Sequence, residues 1–353
     1  MMSSRKHALS VLASGAVDGS IPAICFLVES PLVRSELDAI KISLKSNLST
    51  HSFSDLSQVL KAAAQITPDE FQVGLAADVL TYMLEKTAEV SSRDALRVVG
   101  VCGKLGVFDS ELFHSFEQRV RIETSTDLSA AVKAMNKLNV CFFEAAILDF
   151  AADYPLSLRF WFPVCQFFLR STSAPNQLRV QQLFLAAVHL EVELLRANED
   201  LLKQRSHLSA DDGVRIISIL AKLHRMGCTE IGMQARTDLV FILTKIVAYE
   251  LRNLELPALL KLFFSLAQIE VFDDFFVRRR LVPAVAHTFK NIPERKSRDL
   301  VLVLTMLAQL PFTNSMVEEL SQTVITEFKS VKTTDKYYDT GSSIISKLVA
   351  PPY

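Results

Sequence analysis

Apolar residues recur along this chain at spacings of three and four, the period of one helix face. Leu96, Val99, Cys102 and Leu105 form one such stripe, and Val214, Ile217, Leu220 and Leu223 another. The stripes end in related motifs: AAAQIT from Ala62, CGKLGVFD from Cys102, MNKLNV from Met135, LAKLHR from Leu220, LAQIEVFD from Leu266 and LAQLPF from Leu307. With Ile66, Leu105, Leu138, Leu223, Ile269 and Leu310 as anchors, the intervals are 39, 33, 85, 46 and 41 residues, the longest being two units. A second helix is predicted after each anchor, over 70–89, 110–122, 142–152, 231–251, 274–290 and 315–328. Ser54, Ser92, Thr126 and Ser297 stand where the first helices need N-caps. One helix pair cannot bury both of its faces, so neighbouring pairs must stack. The expected fold is all-α, an α-solenoid of about seven antiparallel helix-pair repeats.

The pattern also divides the chain. Residues 1–50 read as an N-terminal cap of short helices broken near Gly19 and Pro31, residues 51–331 as the repeats, and 332–353 as a tail that frays beyond Leu348. The unit at 154–207 is irregular. Its first helix, LRFWFPVCQFFLR, carries the single tryptophan, Trp161, and its second places Leu183, Ala187, Leu190, Leu194 and Leu201 on an apolar period near 3.5.

Composition agrees with long helices, since 10 Gly and 12 Pro among 353 residues are few for a β-rich protein. A net charge of −1 excludes grip on nucleic acid by bulk charge, so any such surface must be local. Cys25, Cys102, Cys141, Cys165 and Cys228 are an odd number without a CxxC pair and read as buried free thiols of a reducing compartment. The apolar runs at 21–28 and 300–310 are too short to span a bilayer, so no membrane association is expected. Arg5, Lys6, His7 and several serines precede the first acid, Asp18, as in a mitochondrial presequence. The mitochondrial matrix is the expected location, with the cytoplasm as the alternative.

No local signature of catalysis emerges. There is no phosphate-binding GxxxxGK[ST], no HExxH and no GxSxG, and the seven histidines are scattered. His114, His189, His224 and His287 read as surface or core-edge residues, and Gly100, Gly103 and Gly106 as sites of close helix packing. The expectation is a protein that is not an enzyme and takes no cofactor, metal or small-molecule substrate.

One ordered polar feature remains. Immediately before the anchors stand Gln65, Lys104, Lys137, Lys222, Gln268 and Gln309, and seven residues earlier stand Gln58, Arg97, Ala130, Arg215, Lys261 and Leu302. In stacked repeats these positions align as a ladder rich in cations and amides, suited to phosphates and base edges. The plainer reading is that Lys, Arg and Gln are good helix formers that populate any solvated face. A second basic cluster gathers Arg278, Arg279, Arg280, Lys290, Arg295, Lys296 and Arg298, relieved by Glu294 and Asp299. Some of these are expected to pair with Asp273, Asp274 or acids of a neighbouring unit, leaving a solvated face or a phosphate-binding one.

The stretches DALRVVGVCGKLGVFDSELFHSFEQRV and LPALLKLFFSLAQIEVFDDFFVRRRL resemble the helix-pair repeats of the octotricopeptide and FAST-kinase-like class, and more broadly HEAT and armadillo repeats. The shared features are a Leu-Ala-rich first helix, a KLG-like end and a second helix opening near an acid, over residues 54–330. The chain departs from many FAST-kinase-like proteins in lacking a RAP-type C-terminal segment, which speaks against nuclease activity. Related repeats occur in kinetoplastid subunits of the RNA-editing substrate-binding complex and in mitoribosome assembly factors. The resemblance implies a noncatalytic subunit of a mitochondrial RNA-processing complex, partnered by other protein subunits and by single-stranded RNA. The alternative is a protein-only adaptor that grips a partner through apolar grooves and the Trp161 region.

Overall fold

The computed structural model describes residues 4–65, 69–154, 157–198, 208–226, 231–271 and 273–349, and every regular element among them is helical. The chain divides into two compact units, Met1–Val180 and Gln181–Tyr353, the boundary falling inside one long helix.

The first unit contains α1 (Arg5–Ala13), α2 (Ser20–Val28), α3 (Arg34–Ser46), α4 (Phe53–Ala63), α5 (Glu70–Leu84), α6 (Ser92–Leu105), α7 (Ser110–Glu117), α8 (Ser125–Leu138), α9 (Glu144–Asp153), α10 (Leu158–Phe168) and the start of α11 (Ala174–Ala197). Helices α2, α4, α6, α8 and α10 pack on one another in chain order, while α3, α5 and α7 form a second row. The second unit contains α12 (Ala210–Arg225), α13 (Met233–Ile242, continued through a π-helical turn Leu243–Val247 into Ala248–Glu250), α14 (Leu256–Gln268) and α15 (Asp274–Phe276, a π-helical turn Val277–Leu281, then Val282–Asn291). It ends with α16 (Ser297–Gln309), α17 (Ser315–Phe328) and α18 (Tyr338–Val349). Here α12, α14, α16 and α18 pack in succession, and α15 packs on α17.

The N-caps lie one or two residues before Ser54, Ser92 and Thr126. Ser52, Ser91 and Thr124 are the N-caps, their hydroxyls accepting from the backbone N–H of Asp55, Asp94 and Asp127. Asp55 and Asp127 return a bond to the cap's own N–H, a reciprocal box that fixes the start more firmly than a lone serine one turn in. Lys296, not Ser297, holds the cap position of α16. Of the anchors, Leu105, Leu223 and Ile269 are buried and Leu138 and Leu310 half-buried; Ile66 lies outside the described residues.

The stretch of residues 1–50 is packed in. Ala8 and Leu12 of α1 are buried, and the Arg5 Nε donates to Glu36 Oε1 at 2.6 Å. That pairing holds the Glu36 carboxyl below the ordinary range, chiefly through the Arg5 hydrogen bond. Within 332–353, α18 docks on its neighbours: the Tyr338 ring stacks on Phe328 with centroids 5.9 Å apart. Residues 350–353 lie outside the described residues.

The irregular unit differs from the expected register. Trp161 is 2% exposed and Phe167 and Phe168 are fully buried, so this aromatic helix is core. On α11 the buried stripe is Val180, Phe184, Val188, Val192 and Leu195, whereas Leu190 and Leu194 are 65% and 46% exposed. The helix is apolar on two faces, and the β-branched and phenylalanine face is the one that packs. Leu201 lies outside the described residues.

The three glycines of α6 do three different things. A Cβ on Gly103 would stand 2.7 Å from Ala134 Cα, so α6 and α8 touch there at backbone distance. Gly106 ends α6 in the left-handed region, φ 72°, and Gly100 faces open space. Gly103→Ala is therefore expected to cost about 1–3 kcal/mol through overpacking. Gly100→Ala is expected to stabilise by about 0.5–1 kcal/mol through helix propensity. Urea unfolding midpoints of the two variants check the opposite signs.

Candidate nucleic-acid interface

Because α4, α6 and α8 lie side by side, positions on their outward faces converge. They line a groove of about 730 Å³, and the ladder residues Gln58, Arg97, Lys104, Ala130 and Lys137 are all in its walls. Lys61, Arg93 and Lys133, which the spacing of seven missed, join them. Each sits three or four residues from a ladder position, so a search at i±3 and i±4 would have found it. Six cations thus face two acids, Asp94 and Asp127. Both acids serve helix starts: Asp127 accepts from the Thr124 N–H, and Asp94 accepts from the Ser91 hydroxyl. Arg97 also pairs with Asp94 at 3.0 Å, so the stripe is not free of acids as its sequence positions imply. The floor is small: Gly100, Gly103, Ala130 and Ala134 all line the groove.

The KLG-like motif has a local structural cause. Gly106 and its counterpart Asn139, φ 59°, are the left-handed C-caps of α6 and α8. The N–H groups of Gly106 and Val107 both return to Cys102 O. The lysine before the anchor reaches sideways: Lys137 Nζ donates to Lys104 O at 2.9 Å, placing positive charge at the carbonyl end of α6. Lys137 therefore ties neighbouring helices as well as lining the groove.

In the second unit Arg215, Lys222 and Lys261 are drawn together by the packing of α12 on α14. Lys261 exposes its side chain, yet its ammonium is partly desolvated. That desolvation, and then the charges of Lys222 and Arg215, hold its pKa below the ordinary lysine value. Gln268 is engaged, its Oε1 accepting from Arg225 Nη2 at 2.8 Å.

The second basic cluster is partly neutralised, three of its seven cations being in ion pairs. Arg278 pairs with Asp274 at 3.3 Å and lies over the Phe312 ring at 4.4 Å; Lys290 pairs with Glu319 at 2.6 Å; Arg295 pairs with Glu327. Arg279, Arg280, Lys296 and Arg298 are exposed, Arg279 and Arg280 in the π-helical turn of α15. The cluster is a set of three ion pairs carrying four outward cations.

Elsewhere, His189 and Glu193 of α11 and Asp238 of α13 bring donor atoms within 4.8 Å of one another. Sequence spacing missed this group because Asp238 comes from another helix. The Arg196 guanidinium already serves it, 2.6 Å from Glu193 and 3.3 Å from Asp238. Asp238 is 1% exposed and also meets His189 at 2.9 Å and Gln234, so the arrangement works as a polar tie between two helices. Burial raises the Cys25 and Cys141 thiols to about 11 and Cys102 to about 12, making them poor nucleophiles. Cys228 lies outside the described residues. Among the described residues no helix is long and apolar enough to cross a membrane.

The chain matches no protein-family model and no curated protein. The site must be read from its own geometry.

Desolvation first, and then like charge, lowers the Lys261 pKa, and the contribution of charge gives a direct check. Removing the Lys222 charge by Lys222→Met is expected to raise the Lys261 pKa toward the ordinary value, read by NMR titration of its side-chain resonances.

Proposed function

We propose that the protein is a noncatalytic helical-repeat scaffold, a solenoid of stacked helix pairs, that holds single-stranded RNA along the groove of α4, α6 and α8. The observation that carries this reading is the groove itself, where six cations and Gln58 surround a floor of small residues while both acids serve helix caps. Phosphates suit such a strip, since each one neutralised releases condensed counterions. Amides and lysines at helix-turn spacing leave room for base edges as well. The setting in a mitochondrial RNA-processing or RNA-editing complex, with other protein subunits as partners, rests on the repeat resemblance of residues 54–330.

Filter binding of the full chain to short single-stranded RNA over a range of salt tests the reading. Lys104, Lys133 and Lys137 changed together to Ala should weaken binding at least tenfold and reduce the log–log salt slope by about 2, the share of three phosphate contacts on a single strand. Absence of salt-sensitive binding by the unaltered chain, or an unchanged slope in the triple variant, sinks direct RNA contact.

A second reading, the protein-only adaptor, is favoured by a different observation. Leu190 and Leu194 are exposed four residues apart on α11, an apolar strip of the kind a partner helix covers. Trp161 is too deeply buried to serve. On this reading Leu190→Glu with Leu194→Glu abolishes recovery of partner subunits from cells and leaves the RNA titration unchanged. Retained partners argue against it.

A further inference from the structure

The basic groove continues into a second cavity. This one, about 340 Å³ and open to solvent, shares Thr126, Ala130 and Lys133 with the groove and is bordered by Ser125, Ser129 and Phe160. Its volume sits at the small end of the roughly 300–1,000 Å³ range of cavities that hold small ligands, room for a nucleoside and too little for a folded segment.

Its aromatic wall, Phe160, is one of two half-buried phenylalanines of α10, the other being Phe162. Phe167 and Phe168 are fully buried and pack edge to face with centroids 4.8 Å apart, whereas Phe160 is half-exposed at the cavity. Ser125 and Thr126 open the first turn of α8 and are exposed, supplying hydroxyls that both donate and accept. Lys133 stands in both cavities, so one ammonium serves the end of the groove and the mouth of the side cavity.

We infer that the Phe160 cavity is a base-stacking subsite of the groove: one nucleobase of a single-stranded nucleic acid lies on the Phe160 ring, with its flanking phosphate on Lys133. This deepens the reading of the groove as an RNA site and rests on it. Cation followed by aromatic is how a strand is held without sequence preference, the charge tracking the backbone and the ring taking the face that every base has. The hydroxyls of Ser125, Thr126 and Ser129 add a polar rim able to meet base edges or a ribose 2′-hydroxyl.

The test uses the full chain with three probes: oligoadenylate, the same strand with abasic sites, and oligoadenylate carrying 2-aminopurine. Phe160→Leu keeps apolar volume and loses the ring; Phe160→Trp keeps a ring. The expected result is that Phe160→Leu weakens oligoadenylate binding about tenfold, the scale of one stacked base, with the salt slope unchanged. Phe160→Trp should bind as the unaltered chain does, 2-aminopurine should be quenched only by proteins with a ring at 160, and the abasic strand should not distinguish the variants. Salt-sensitive binding that is identical in Phe160→Leu, or equally weakened for the abasic strand, overturns the subsite while leaving the groove reading intact. A chain that binds none of the probes overturns both. Polyglutamate competing as well as oligoadenylate overturns base recognition, since it offers charge without a ring.

Discussion

The close approach of α6 and α8, where Gly103 meets Ala134, is the contact on which the rest of the first unit's surface depends. At a backbone separation this small, α6 has no room for even a Cβ opposite Ala134, and the longer side chains of the groove stand to either side. Gly100 and Ala130, also without long side chains, extend the bare strip toward the helix starts. The result is concavity made by omission. Arg93, Arg97 and Lys104 on one side and Lys133 and Lys137 on the other line the sides of a groove that small residues floor. Larger residues at 103 and 134 would separate the helices and spread the same charges over a flatter face.

Stacking of pairs then gives those charges an order. The row of first helices, α4, α6 and α8, presents equivalent positions side by side, and Lys137 in the last turn of α8 reaches the carbonyl end of α6. A residue in that place satisfies the helix terminus and adds to the groove potential at once. For Lys137 the tie to α6 and the place in the groove wall are not alternatives. The same logic separates the groove from the cluster at 278–298, where Asp274, Glu319 and Glu327 take up three of the cations before any ligand arrives.

Much of the helix order is legible in the sequence because amphipathic period survives any packing partner: α16 and α17 fall where the apolar stripes after residue 296 put them. The misses have particular causes. A run with the right period across 231–251 or 274–290 does not reveal a π-helical turn, which shifts the hydrogen-bond ladder by one residue and leaves the apolar pattern readable on both sides. On α11 two stripes compete, and leucine at a 3.5 spacing is no better evidence of burial than valine and phenylalanine at 180, 184, 188 and 192. The start of a helix is decided by a reciprocal pair such as Thr124 with Asp127, so choosing a hydroxyl without asking what lies three residues on misplaces it.

The ladder positions Gln58, Arg97, Lys104 and Lys137 are legible for a reason that also limits them. Periodicity identifies which residues of a helix leave the core, and in a stack it aligns them, but it is silent on whether the surface between is filled. Ala130 reads as a gap in a ladder of cations; in three dimensions it is part of the groove's floor, and one helical turn later Lys133 supplies the charge. Phe160 is hidden more deeply still, because a phenylalanine beside a buried tryptophan in an aromatic helix has every sequence mark of core. Its half-exposure arises from α10 crossing α8 near Ser129, a contact between residues about thirty positions apart. Recognition surfaces on stacked helices are made from what neighbouring repeats leave uncovered, and that is a property of pairs of helices, which no single stripe records.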